Sequence, residues 1–190
     1  MWYDIPVRAR KALYLRETVF SILACWGFGC GCCVVRPLAD AGDSRAMLFA
    51  SHRSVRPGET FELGLLLTVP RGWHTYGDPP GDAGMPPRLT LRAPDGFSVG
   101  LPRLPRAREF RDAAGMSRGY AGRVLFRIPI TAPPSAASAS VHPLHLNAQW
   151  LVCGQTCIPC ETNLTISIAV AAERSVPAAE WADLLKQGQW

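Results

Sequence analysis

Leu164-Thr-Ile-Ser-Ile-Ala-Val170 puts an apolar side chain at every second position, the period of a strand with one face buried and the other in water. A helix would need its apolar residues three and four apart. Upstream, Val141 to Val152 carries the preceding strand, and Phe61-Glu-Leu-Gly-Leu-Leu-Leu-Thr-Val69 reads as a mostly buried strand introduced by the turn Arg56-Pro-Gly-Glu59. Trp73-His-Thr-Tyr76 is a short aromatic strand, Leu89-Thr-Leu-Arg92 resumes extended structure, and Tyr120 to Ile130 alternates with Pro129 near its end. Residues 77–87, rich in Pro and Gly, and residues 100–119, with Pro102, Pro105 and Gly115, read as irregular loops. The arginines of 103–118 alternate with acids, as a solvated loop would. Seven or so strands without intervening helices, repeats or βαβ alternation predict an all-β fold, an immunoglobulin-like antiparallel β-sandwich. That sandwich is expected over residues 42–176 as one domain, preceded by an export segment at 1–41 and followed by a tail at 177–190 with a short C-terminal helix over 177–185.

A chain of 190 residues can bury a real hydrophobic core, so disulfides are not needed merely to fold it. Charged residues make up only 18% while Pro and Gly contribute 17 each, a balance suited to short strands and turns. The net charge is +5, yet no run of Lys and Arg is interleaved with aromatics, so nucleic acid is not an expected partner. At the N-terminus a basic stretch ends at Arg16, the uncharged apolar run Val19–Val35 follows, and Ala39-Asp-Ala41 offers a small-x-small cleavage pattern. This is the order of a secretory signal. An uncleaved anchor is the alternative, because 17 apolar residues lie at the bottom of the membrane-spanning range. Lipidation at Cys25, after Ile22-Leu-Ala24, is a third. Each reading places the rest of the chain outside the cytoplasm, with membrane association only through this segment if it is retained.

Export changes the count of cysteines. Of seven, Cys25, Cys30, Cys32 and Cys33 fall in the export segment, and Cys153, Cys157 and Cys160 remain, clustered within eight residues. An odd cluster in an oxidising compartment is poor stapling and points to redox or metal chemistry. Along an extended strand Cys153 and Cys157 would lie roughly 13 Å apart, whereas a disulfide needs Cα atoms about 4.4–6.8 Å apart. Gly154-Gln-Thr156 must therefore fold into a tight turn, which Gly154 permits. Closing a loop of about five residues removes only about 2 kcal/mol of unfolded-state entropy, against about 4.7 for a hundred-residue loop. Such a bond is a weak staple and an accessible redox centre. Cys157-Ile-Pro-Cys160 is a C-x-x-C with proline third, as in thioredoxin-like sites. Those sites open a helix, but Glu161-Thr-Asn163 leads into a strand, so a thioredoxin fold is not expected. Cys160 reads as a second resolving thiol or a buried small hydrophobe.

Trp150-Leu-Val-Cys-Gly-Gln-Thr-Cys-Ile-Pro159, with Gly72-Trp-His-Thr-Tyr76 and Pro80-Gly-Asp-Ala-Gly84 upstream, resembles the N-terminal periplasmic domain of the DsbD-type thiol:disulfide interchange proteins. The resemblance covers about residues 46–171. It implies an immunoglobulin-like periplasmic domain without a cofactor. Its redox pair, Cys153 and Cys157, would take electrons from a thioredoxin-like or membrane donor and reduce periplasmic disulfide-carrying partners, as a component of a protein-disulfide reductase. By position, Cys157 would form the mixed disulfide and Cys153 would resolve it. Members of the family shield the pair with a cap loop carrying an aromatic residue, and Glu109-Phe110 resemble that cap. Trp73, His74 and Tyr76 resemble an aromatic patch flanking the site, although plain core packing serves such residues equally well. The sequence departs from the best-known members in its tighter cysteine spacing and in the extra Cys160. No multi-helix membrane domain or thioredoxin-like domain follows Trp190, so the donor is expected to be another polypeptide, or the chain to be a truncated or stand-alone relative.

Copper delivery is the main rival, since two thiolates in C-x-x-x-C with Cys160 or a histidine as third ligand suit Cu(I). His142 and His145 lie on the preceding strand, where ordinary sheet positions are the blander reading. A third possibility is an exported sandwich with an inert disulfide. No nucleophile elbow, H-E-x-x-H or Gly-rich phosphate loop is present to support another enzyme class, and the sequon Asn163-Leu-Thr165 is too short to carry weight.

Overall fold

The computed structural model describes residues 44–112, 115–135, 140–171 and 177–187. All of these lie in one compact unit, Pro37–Trp190; the other unit, Met1–Arg36, lies outside the described residues, as does the whole of the expected export segment. In chain order the elements are β1 (Arg45–Ala50), β2 (Ser54–Val55), β3 (Thr60–Thr68), β4 (His74–Gly81), β5 (Arg88–Arg92), β6 (Ser98–Val99), β7 (Arg108–Asp112), β8 (Gly115–Tyr120), β9 (Arg123–Thr131), β10 (Ser140–Cys153), β11 (Cys157–Val170) and α1 (Ala179–Gln187).

Two sheets pack face to face. The first runs β1-β3-β9-β6, and the second β2-β11-β10-β4-β8-β7 with β5 also paired to β10. Every pairing is antiparallel except β2 with β11. The expected all-β, immunoglobulin-like sandwich is thus what the chain forms. Between the sheets, Phe61, Leu63, Leu65 and Leu67 of β3 and Val124, Phe126, Ile128 and Ile130 of β9 meet Leu144, Leu146, Ala148, Trp150 and Val152 of β10. Alternate residues of β10 face this core, while His145, Asn147 and Gln149 point to the outer face.

β3 does not alternate, because it is buried on both sides. Leu66 of β3 and Leu125 of β9 face outward and are covered by Ala178 and by Trp181 and Leu184 of α1. Gly64 makes room for that helix: a Cβ there would lie 2.6 Å from the Trp181 ring. The C-terminal helix expected over 177–185 is present, two residues later at each end.

Three local expectations are corrected. Residues 77–81, read as loop, continue β4 past Tyr76 with a cis Asp78–Pro79 peptide and a register shift against β8. Residues 108–112 and 115–119, also read as loop, belong to β7 and β8, which pair at the edge of the second sheet. The strand read as Tyr120 to Ile130 is two strands, because the chain turns at Ala121-Gly122, where Gly122 takes φ 72°. Tyr120 therefore belongs to β8, where its hydroxyl donates to the Pro105 carbonyl at 2.7 Å.

Candidate redox site

β10 and β11 form one long hairpin whose fourteen residue pairs run from Ser140↔Val170 to Cys153↔Cys157. The chain reverses through Gly154-Gln-Thr156, closed by a 3.0 Å bond from the Gly154 N–H to the Thr156 carbonyl. This brings the two cysteine Cα atoms to 4.1 Å, and their sulfurs are joined in a disulfide. The Trp73 indole lies over the turn, 3.0 Å from where a Cβ on Gly154 would stand.

The two sulfurs sit in different environments. Cys153 has β11 on one side and His74 of β4 directly opposite on the other, and it is only 2% exposed. Cys157 opens β11 at an end that β2 does not reach, because β2 pairs only with Ala169 and Val170. It is exposed to solvent.

Directly paired residues share a face of the sheet, so His74 projects beside the disulfide, and so does Tyr76 two residues on. The Tyr76 hydroxyl lies 3.6 Å from Cys157 Sγ. Gly84, at φ 96°, lets the following loop close on the Tyr76 ring, which a Cβ at that position would strike. The His74 ring is buried, set edge-on to Tyr76 at 5.2 Å and stacked on Phe110 at 4.7 Å and 11°. Its Nε2 lies 3.5 Å from the buried Ser117 hydroxyl. Phe110 thus meets the site through His74. Glu109 pairs with Arg118 at 3.7 Å; one residue from Phe110, it projects from the other face of the β7–β8 hairpin.

Cys160 stands apart from the pair. Three residues beyond Cys157 along a strand, it faces the opposite side, opposite Trp150 and packed against the core. Burial pushes its thiol pKa up. His142 contacts the Ser140 hydroxyl at 2.8 Å and the Phe97 ring, and His145 contacts the Thr165 hydroxyl at 3.0 Å. His145 lies roughly 26 Å along β10 from Cys153. Among the described residues no group of three or more His, Cys, Asp or Glu side chains is arranged to hold a metal.

A cleft of about 440 Å³ opens between the hairpin tip and residues 83–85. Its walls include Tyr76, Ala83, Met85, Leu151, Gln155 and Cys157, and no lining side chain is charged. Ser117, Met85 and Leu151 were not among the residues singled out from sequence. Nothing local ties Ser117 to a histidine 43 positions away, whereas a methionine inside the glycine- and proline-rich 77–87 stretch is a legible signal of an exposed apolar side chain.

The family described as thiol:disulfide interchange protein DsbD, N-terminal, matches residues 46–168. Fourteen solved chains are similar. The N-terminal periplasmic domain of ScsB from Proteus mirabilis is 18% identical, with a TM-score of 0.54 over 76% of this chain. This chain spans about half, 52%, of that domain's length. The N-terminal domain of DsbD from Neisseria meningitidis, in its reduced form, is 13% identical with a TM-score of 0.39, covering 70% of this chain and 88% of that one. At such identities the likeness speaks for the fold alone. No curated protein matches.

Proposed function

The chain belongs to the N-terminal family of the DsbD thiol:disulfide interchange proteins, and from that premise we propose that it is an exported electron-relay module acting through Cys153 and Cys157. The carrying observation is the unequal exposure of two bonded cysteines, Cys153 buried and Cys157 open to solvent. A thiolate from a thioredoxin-like or membrane donor attacks the open sulfur, Cys157, and Cys153 leaves as a thiolate that takes up a proton. The donor's second thiol then breaks the mixed disulfide, so two electrons and two protons arrive in all. In the outward half, the Cys157 thiolate attacks a disulfide of a periplasmic partner. Cys153 next attacks Cys157 Sγ, the partner leaves reduced, and the intramolecular bond is restored.

The surroundings support these roles. The Tyr76 hydroxyl, 3.6 Å from Cys157 Sγ, is placed to donate a hydrogen bond to the thiolate, which lowers the cost of forming it. Phe110 on His74 closes one side of the site, the place of a cap that keeps the reduced pair from indiscriminate oxidation. Among the described residues no helix is long and apolar enough to cross a membrane. Periplasmic placement rests on the family's domain and on the expected export segment.

Trapping separates the two sulfurs. In a Cys160→Ser background, Cys153→Ser should accumulate mixed disulfides with partners through Cys157, while Cys157→Ser should accumulate none. Equal trapping by both variants would refute the division of roles. The copper reading shares the same two sulfurs but has Cys160 on the far face and both strand histidines remote, so tight Cu(I) binding by the reduced domain, lost in Cys157→Ser, would favour it over the relay.

A further inference from the structure

We propose that the cleft beside the disulfide is a specificity pocket for an apolar side chain flanking the partner's reactive cysteine, with Met85 and Leu151 as its selecting walls. This inference rests on the relay through Cys157. In the exchange, the Cys157 thiolate attacks one sulfur of the partner disulfide, a new S–S bond forms, and the partner's other sulfur leaves as a thiolate. The bonded partner cysteine is then held with its Cα about 4.4–6.8 Å from that of Cys157. Its chain neighbours, about 3.8 Å further along, have to pass over whatever adjoins Cys157. What adjoins it is this cleft, of which Cys157 itself forms part of the wall.

The chemistry of the walls then decides what fits. Met85 is 47% exposed and is the large exposed apolar side chain that lines the cleft. Leu151, half-buried on the outer face of β10, provides the opposite apolar wall. A charged side chain placed between them would lose water and meet no opposite charge, a cost that an apolar side chain avoids. Methionine is flexible and polarisable, so the wall can adapt to several apolar shapes.

The pocket is also built in advance. Asp82 ties the loop to β8 twice: its carboxylate accepts from the Met116 N–H at 3.0 Å, and its own N–H donates to the Met116 carbonyl at 2.8 Å. Gly84 then seats the loop against the Tyr76 ring. The wall holding Met85 is therefore fixed to the same strands that carry the site, and little ordering is left to occur on binding.

The test uses the full chain, reduced and freed of reductant, with short disulfide-bonded peptides differing only in the residue beside one cysteine: Leu, Asp or Lys. Second-order rate constants of peptide reduction are read at one pH and ionic strength. The Leu peptide should react about tenfold faster than either charged peptide, the discrimination typical of an apolar pocket. Met85→Ser and Leu151→Ser should each shrink that ratio while leaving the rate with a small, unbranched disulfide such as bis(2-hydroxyethyl) disulfide unchanged. Equal rates for the three peptides in the wild type, or a preference that survives both substitutions, would overturn the pocket and leave the relay standing. A wild type that reduces no peptide disulfide would overturn both together.

Discussion

Reducing the Cys153–Cys157 bond should weaken the domain only slightly, and the structure sets the size of the effect. The bond closes a loop of five residues, for which chain entropy gives about 2 kcal/mol. The partners it joins are already held by ladder pairs that do not involve sulfur: Cys153 pairs with Cys157 and with His74 through the backbone, and Val152↔Ile158 and Leu151↔Pro159 follow along the same hairpin. The core between the sheets lies under β10 and β3, and of the two cysteines only Cys153 is buried. Against a total stability on the order of 5–15 kcal/mol, a loss of about 2 leaves a folded protein. The assay is urea unfolding followed by circular dichroism at neutral pH, with and without excess dithiothreitol. With a slope of about 2 kcal/mol per molar urea, the midpoint should fall by about 1 M and the slope should not change. A reduced form that unfolds without urea, or a midpoint drop of several molar, would show that the bond is a structural staple. The energetic basis for a cycling pair would then be gone.

Phe110→Ala removes the ring stacked on His74; the disulfide should then be reduced by dithiothreitol roughly two- to tenfold faster, the factor that about 0.5–1.5 kcal/mol of ring pairing represents. An unchanged rate would mean that Phe110 does not guard the site. Thr75 is fully buried and, among the described residues, its Oγ1 has no hydrogen-bond partner; Thr75→Val should therefore raise stability by about 1 kcal/mol in urea unfolding, and a loss would reveal an unseen partner. Burial, with the Asp78 carboxylate as a lesser cause, pushes the Tyr120 pKa up to about 12 from an ordinary 10.0. A group raised on folding contributes stability that is complete below its unfolded pKa and is lost as pH rises through the folded one. Wild-type stability should thus fall between pH 10 and 12, and Tyr120→Phe should flatten that part of the fall; an identical profile in the variant would refute the assignment.

The long strands were legible because their signal is local. Leu164–Val170 alternates, and the turn at Gly154 follows from the reach of a disulfide across a five-residue loop. The β7–β8 hairpin was not, because Arg108-Glu-Phe-Arg-Asp112 carries one apolar residue and sits at a sheet edge, where water faces most of it. Its strand character comes from pairing with β8, which no period in the sequence announces. The sequence ends β4 early, at Tyr76, for a related reason. Pro79 and Pro80 are poor strand residues only where a backbone N–H is needed, and beyond Tyr76 the strand pairs with β8 only at Gly81, across an irregularity. At the site, the cysteines and the aromatic strand could be named from sequence, but the stack of Phe110 on His74 and the contact of Ser117 with that ring join segments that only the sheet order brings together. The opposite facing of Cys160 was implicit in its odd spacing from Cys157 once both were known to lie on one strand.

The fourteen-rung hairpin that carries the disulfide spans roughly 43 Å, and its β10 strand is braced along its other side by β5 and β4. No joint separates the sulfur pair from the body of the sandwich, so the pair cannot travel from a donor to an acceptor by swinging on an arm. It is a stationary target. On the proposed relay, donor and acceptor would have to occupy the same docking position in turn, each bringing its own cysteine into line. The continuous pairing of the hairpin would thus make the proposed relay alternate between visitors, its throughput set by how quickly one leaves for the next.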